Sequence, residues 1–263
     1  MRYYTIVHLS LSISDNVYLE DSWNRFSSHT EKDDLEISYA DCTERVKSYG
    51  IYKCDLKECD NYVLTNELAT VTVSTDWKKC RVIFTESWEN ANRFFRQIFY
   101  IHAVQKHVLQ MHSSLIEHQG RGLLFLGPSG IGKTTQAELW AKYRNALIIN
   151  GDIVFVQETK ECFLGWGTPW HGSSPYCENA SVPVHAMVVL KQAEENSIRE
   201  LTGFEKVSEV SNSIFYPQWL ENGMELCLET LDHLLREIPV YELSCRPDEA
   251  AVELTEQTIF YRK

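Results

Sequence analysis

Residues 127–134 read GPSGIGKT and match G-x-x-x-x-G-K-[ST] at every fixed position. Gly127, Gly130 and Gly132 allow backbone torsions that a side chain would forbid. The amides of Ser129, Ile131 and their neighbours can then turn inward toward phosphate oxygens, aided by the positive end of the following helix. Lys133 is placed to reach the β- and γ-phosphates, Thr134 to offer its hydroxyl to Mg²⁺, and Thr135 to complete the phosphate-facing turn. The context fits, since LLFL (123–126) feeds the loop as a buried strand and KTTQAELWAKY follows as a helix former. The expected ligands are ATP, or another nucleoside triphosphate, and Mg²⁺. No N-K-x-D guanine selector is present, so ATP and GTP are not separated.

Phosphoryl transfer also needs alignment and a proton acceptor. Asp152 ends the apolar segment ALIINGD (146–152), which reads as a strand beside the loop strand. There its carboxylate could touch the metal or accept a proton from an attacking hydroxyl. His112 begins the strand SSLIE and could bond Asp152 or that hydroxyl. The segment GWGTPWHGSSPYCENA (165–180) is rich in Gly, Ser, Pro and aromatic residues and poor in charge. Such loops sit at strand ends where function concentrates, and Trp170, His171, Ser173 and Ser174 are candidates to frame an acceptor. Lys191 and Arg199 could steady a phosphoryl group, without a motif to support either.

MHSSLIEHQGRGLLFLGPSGIGKTT (111–135) resembles the catalytic core of the HPr kinase/phosphorylase superfamily, in which a His precedes the phosphate loop by about this distance. The resemblance extends over roughly residues 88–260 and is most specific in 111–156. Within the superfamily the look is similar to kinases that tailor ribosomal peptides, such as lasso-peptide tail kinases. It implies ATP-dependent transfer to a hydroxyl, most naturally Ser of a peptide or protein, with His112, Lys133 and Asp152 as the catalytic set, Thr134 and Asp152 as metal ligands, and a homo-oligomer by analogy. Two departures stand out. The family's acidic pair is Gly151-Asp152 here, and its E-[IV]-R-G-x-G signature falls on residues 162–167, where Cys162 and Leu164 replace the Glu and Arg while Gly165 and Gly167 remain. A one-way kinase without the reverse phosphorylase reaction is expected.

The elements that must position these residues suggest an α/β protein. The reading is a P-loop mixed-sheet kinase core of the HPr kinase/PEP carboxykinase type over 86–263, preceded by a smaller β-rich domain over 1–85 that could recognise substrate. In the first part 4–11, 35–39, 69–74 and 80–84 read as strands of an antiparallel sheet. A helix is expected from Ser87 to Gln110, with Ser87 as cap and a helical stripe of apolar residues. Strands are expected at 113–117, 123–126, 146–150, 183–190 and 240–245, a hairpin over 153–166, and helices over 217–237 and from Pro247.

Composition limits the alternatives. With 25 Lys+Arg against 37 Asp+Glu, the net charge of −12 disfavours nucleic acid and anionic membrane as partners. No apolar run suggests a membrane span and the N-terminus does not look like a signal peptide, so a cytoplasmic protein is expected. Eight cysteines form no Cys-x-x-Cys and read as reduced thiols. The competing functions are a small-molecule kinase, a nucleotide switch or ATPase without an acceptor, and a phosphoenolpyruvate carboxykinase-like enzyme.

Overall fold

The computed structural model describes residues 1–29, 33–40, 50–56 and 59–261, and the side chains of all of these except 50–61. The chain divides into two compact units, Met1–Ala103 and Val104–Lys263.

The first unit holds β1 (Arg2–Ile6), β2 (Leu9–Ile13), β3 (Leu35–Tyr39), β4 (Gly50–Leu56), β5 (Cys59–Thr65), β6 (Ala69–Ser74), β7 (Lys79–Thr85) and helix α1 (Trp88–Val104). Its sheet runs β1-β2-β3-β7-β6-β5-β4. The stretch expected as one strand over 4–11 is a hairpin, because Val7 and His8 take φ of 49° and 61° and fold it back. The sheet is mixed and not antiparallel throughout, since β3 runs parallel to both β2 and β7.

Ser87 precedes α1 and its hydroxyl accepts from the Asn90 amide at 3.4 Å. The helix ends at Val104, short of the expected Gln110. His107 takes φ 54°, a torsion no α-helix carries, and the next strand begins at Val108. The apolar spacing that joins Val104 to Val108 therefore crosses a change of element. The helix belongs with the first unit: His102 Nε2 donates to the Trp77 carbonyl at 2.9 Å and Trp88 meets Tyr39 edge-on at 5.6 Å.

The second unit holds β8 (Val108–His118), β9 (Arg121–Leu126), α2 (Lys133–Arg144), β10 (Leu147–Asn150), β11 (Ile153–Glu158), β12 (Phe163–Trp166), β13 (Ser181–Gln192), β14 (Ser197–Glu200), α3 (Gly203–Ser211), β15 (Ile214–Phe215), α4 (Gly223–Glu237), β16 (Val240–Cys245) and α5 (Glu249–Phe260). Strands β9, β13 and β16 run parallel. β8 changes partners along its length. Residues 108–112 pair with β11, and 113–118 pair with β9 while 115–117 also pair with β10. Thus β8, β11, β12, β13 and β9 close into a ring of paired strands. Its interior is tight, for a Cβ at Gly165 would lie 2.9 Å from Leu115 and one at Gly122 would lie 2.7 Å from Val182. Gly165 is thereby explained by packing alone. Strand β10, expected beside the loop strand β9, is separated from it by β8.

Helix α2 packs on β8, β9, β10 and α5 over a core that includes Phe125, Trp140, Val188 and Leu243. Asp248 caps α5 by accepting from the Ala251 amide at 3.0 Å. Among the described residues, no helix is long and apolar enough to cross a membrane. Cys80, Cys162 and Cys245 are free thiols.

Candidate functional site

The glycine loop leaves β9 at Gly127 and enters α2 at Lys133. Gly127, Gly130 and Gly132 take φ of 135°, 79° and 114°, a left-handed region that favours glycine at each. A Cβ at Gly130 would meet nothing within 4 Å, so the loop faces open space. Lys133 is 6% exposed, and its Nζ donates to the carbonyls of Gly127 at 3.0 Å and Pro128 at 3.2 Å. Burial lowers its pKa, while the nearby Asp152 carboxylate pulls it back up. The buried Ser114 hydroxyl donates to the Lys133 carbonyl at 2.9 Å and pins the first turn of α2 to β8. Thr134 Oγ1 donates to the Gly151 carbonyl at 3.3 Å, joining the helix start to the β10–β11 turn.

That turn is built by Asn150. Its buried side chain accepts from the amides of Asp152 at 2.9 Å and Ile153 at 3.0 Å, an Asx turn that fixes where Asp152 points. The register of β11 against β8 sets Ile153 opposite His112. The Asp152 carboxylate consequently meets His112 Nε2 at 3.1 Å, with both side chains partly exposed. His112 does not begin its strand but sits where β8 exchanges one partner for another.

A cleft of about 520 Å³ collects these groups. His112, Lys133, Thr134, Gly151 and Asp152 line it together with Ser129, Gly130, Gly132 and Thr135 of the loop and helix. Ser173, Ser174 and Pro175 form a further wall, from the segment marked as acceptor-framing. Trp170 and His171 of that segment do not line the cleft. Trp170 is 8% exposed and tilts against Phe155 at 6.1 Å, and the His171 ring bonds the Ser174 carbonyl. Gly127 and Ile131 do not line the first cleft, and Ile131 lines a second cleft of about 320 Å³. This cleft shares Gly130, Gly132 and Thr135 with the first and is bounded by Leu190–Ala193 and Cys245–Pro247. Lys191 lies there but pairs with Glu209 at 2.8 Å, and Arg199 pairs with Glu205 and Glu242.

Glu138 was not marked by sequence, yet it lines the first cleft and accepts from the Tyr176 hydroxyl at 3.1 Å. Its spacing of four from Thr134 on one helix was the available signal.

The segment from Thr168 to Glu178 is strapped across the β10–β11 turn. Asn150 Nδ2 donates to the carbonyls of Thr168 and Trp170, Gly151 N to the Tyr176 carbonyl, and Glu178 N to the Ile149 carbonyl. Two glycines record how close the approach is. A Cβ at Gly151 would stand 1.8 Å from Ser174 Oγ, and one at Gly172, which takes φ 58°, would stand 2.3 Å from Asp152 Oδ2. Gly151 therefore has a local cause, because Ser174 fills the space a larger residue would need. Gly167 has another, since its Cβ would meet the Glu178 carbonyl at 2.0 Å.

The donor set fits a nucleotide with Mg²⁺. The loop presents an open concave face and a buried lysine amine. Thr134 and Asp152 offer hard oxygens, the type Mg²⁺ takes from protein while phosphates and water supply the rest. Among the described residues no three His, Cys, Asp or Glu side chains cluster to hold a metal unaided.

No curated protein matches the chain. Among solved structures, the Hpr(Ser) kinase/phosphatase from Coxiella burnetii matches at 10% identity and a TM-score of 0.37, over 58% of this chain and 97% of that one. The family described as SynChlorMet cassette protein ScmC matches residues 85–259, well over half the chain, and so the protein belongs to the ScmC family.

Proposed function

We propose that this protein is a nucleotide-dependent kinase that transfers the γ-phosphate of ATP, or of another nucleoside triphosphate, to a hydroxyl. The favoured acceptor is Ser of a peptide or protein. The observation that carries the reading is the 3.1 Å contact of His112 with Asp152 inside the cleft that also contains Lys133 and Thr134. A passive nucleotide binder needs the loop but not a carboxylate–imidazole pair in front of it.

The geometry supports the following roles. The loop amides and Lys133 bind and neutralise phosphate oxygens, with Lys133 exchanging its bonds to Gly127 and Pro128 for bonds to the ligand. The nucleoside would extend over the loop into the second cleft, against Ile131, Leu190 and Cys245. Mg²⁺, when bound, would shield charge on the transferring group. Asp152 accepts the proton of the attacking hydroxyl, oriented by His112. The acceptor would enter beside Ser173 and Ser174. The preference for Ser of a peptide rests on the sequence resemblance over 111–156. The missing acid at Gly151 and the apolar Leu164 favour the forward reaction alone.

Lys133→Ala tests the donor half of the proposal. Triphosphate binding, followed by calorimetry, should become undetectable while the melting temperature holds. Equal ATP turnover by the variant and the parent would remove the loop from the mechanism.

A further inference from the structure

The strap that walls the cleft carries two serines, and they differ. Ser174 is buried, its hydroxyl accepting from the Tyr176 amide at 3.3 Å and its side chain filling the space above Gly151. Ser173 is exposed, lines the cleft, and makes no hydrogen bond to any described residue. It directly follows Gly172, at which a Cβ would stand 2.3 Å from Asp152 Oδ2. A free hydroxyl is thus tethered in the cleft that holds Asp152, His112, Lys133 and Thr134. The tether is firm, because the strap is bonded at Thr168, Trp170, Tyr176 and Glu178 to the turn that carries Asp152. Tyr176 ties it to α2 as well, through Glu138.

We propose that Ser173 is itself a phosphorylation site, modified in cis by the nucleoside triphosphate bound to the glycine loop. The inference rests on the kinase reading above and adds an acceptor to it. Ser173 Oγ attacks the γ-phosphorus as the bond from that phosphorus to the bridging oxygen breaks. The nucleoside diphosphate leaves with the electron pair, and the hydroxyl proton passes to the Asp152 carboxylate. The balance is one triphosphate and one serine giving one diphosphate, one phosphoserine and one proton. Holding the hydroxyl in the site replaces an encounter in solution, and such tethering can be worth several powers of ten in effective concentration. The product is an anion on the wall of a phosphate cleft. Like charges there repel, so the modified chain should bind triphosphate less well and self-labelling should stop after one phosphate.

The full chain is incubated with γ-labelled ATP and Mg²⁺ without added acceptor, at several protein concentrations, and diphosphate release is measured alongside peptide mapping. The expected result is phosphoserine at 173, formed with a rate constant independent of protein concentration. Ser173→Ala should lose the label, and Ser173→Thr, which keeps a hydroxyl, should become phosphothreonine. Label on another residue, a rate constant that scales with protein concentration, or nucleotide bound without any label formed, whether or not diphosphate is released, would overturn the proposal and leave the kinase reading standing. Neither nucleotide bound nor diphosphate formed would overturn both.

Discussion

Asp152 is held by more than one neighbour, and its consequences are the sharpest at the scale of single residues. Its amide is fixed by Asn150, its carboxylate meets His112 at 3.1 Å, and the strap passes so close that a Cβ at Gly172 would stand 2.3 Å from it. Asp152→Asn keeps the shape and removes the charge that, in the proposed kinase reaction, would accept a proton. Transfer should fall by at least about 10²-fold, while triphosphate affinity changes far less, because the loop amides and Lys133 are untouched. Single-turnover kinetics beside a binding isotherm separates the two. An unchanged transfer rate would leave Asp152 as a turn residue. The same neighbours explain what could be seen in advance. The loop was legible because its information is local, with residue types in fixed order between a strand and a helix. The meeting of His112 with Asp152 was open only as one alternative, since it depends on β8 pairing with β11 across a sequence separation of some 40 residues. No periodicity in either segment fixes that register.

At the scale of elements, the strap over the β10–β11 turn is the feature that sequence described least well. Its composition marked 165–180 as unusual, but Trp170 and His171 turn into packing, whereas Ser173 and Ser174 face the cleft. Which residues face inward depends on the left-handed torsion at Gly172, which composition does not reveal. Gly172→Ala tests the seat. Alanine at φ 58° costs roughly 1 kcal/mol in backbone strain, and its methyl would compete with Asp152 Oδ2 for space. A small drop in melting temperature is expected together with a fall in transfer of at least about tenfold, the usual penalty for misplacing a reacting group. If the melting temperature falls and the transfer rate does not, the strap only stabilises the fold. The misplaced helix end has a physical cause of the same kind: Val108 continues the helical stripe of α1 but already belongs to β8, and only the torsion at His107 marks the change.

At the scale of the whole molecule, the proposed nucleotide, a polyanion, would approach a chain of net charge −12. Among the described residues that line the cleft, Lys133 is the basic side chain besides His112, while Asp152 and Glu138 are acidic. The average field of the protein therefore opposes an incoming nucleotide and the local site attracts it only at short range. Added salt screens the long-range part first, because the Debye length is about 10 Å at 0.1 M. The association rate of a fluorescent ATP analogue should thus rise with ionic strength in stopped-flow measurements. A rate that falls would mean that basic side chains beyond Lys133 steer the ligand. The partner exchange of β8 has a consequence of another sort. Strand β11 starts at the cleft, opposite His112, and runs away from it to the exposed turn at Lys160 and Glu161, a path of roughly 20 Å at about 3.3 Å per residue. Residues 113–118, which brace the loop helix through Ser114, take no part in that pairing. Chain can accordingly be spliced in at 160–161 without drawing on the strand contacts that place Lys133, so this hairpin tip is the natural position for an inserted tag or reporter.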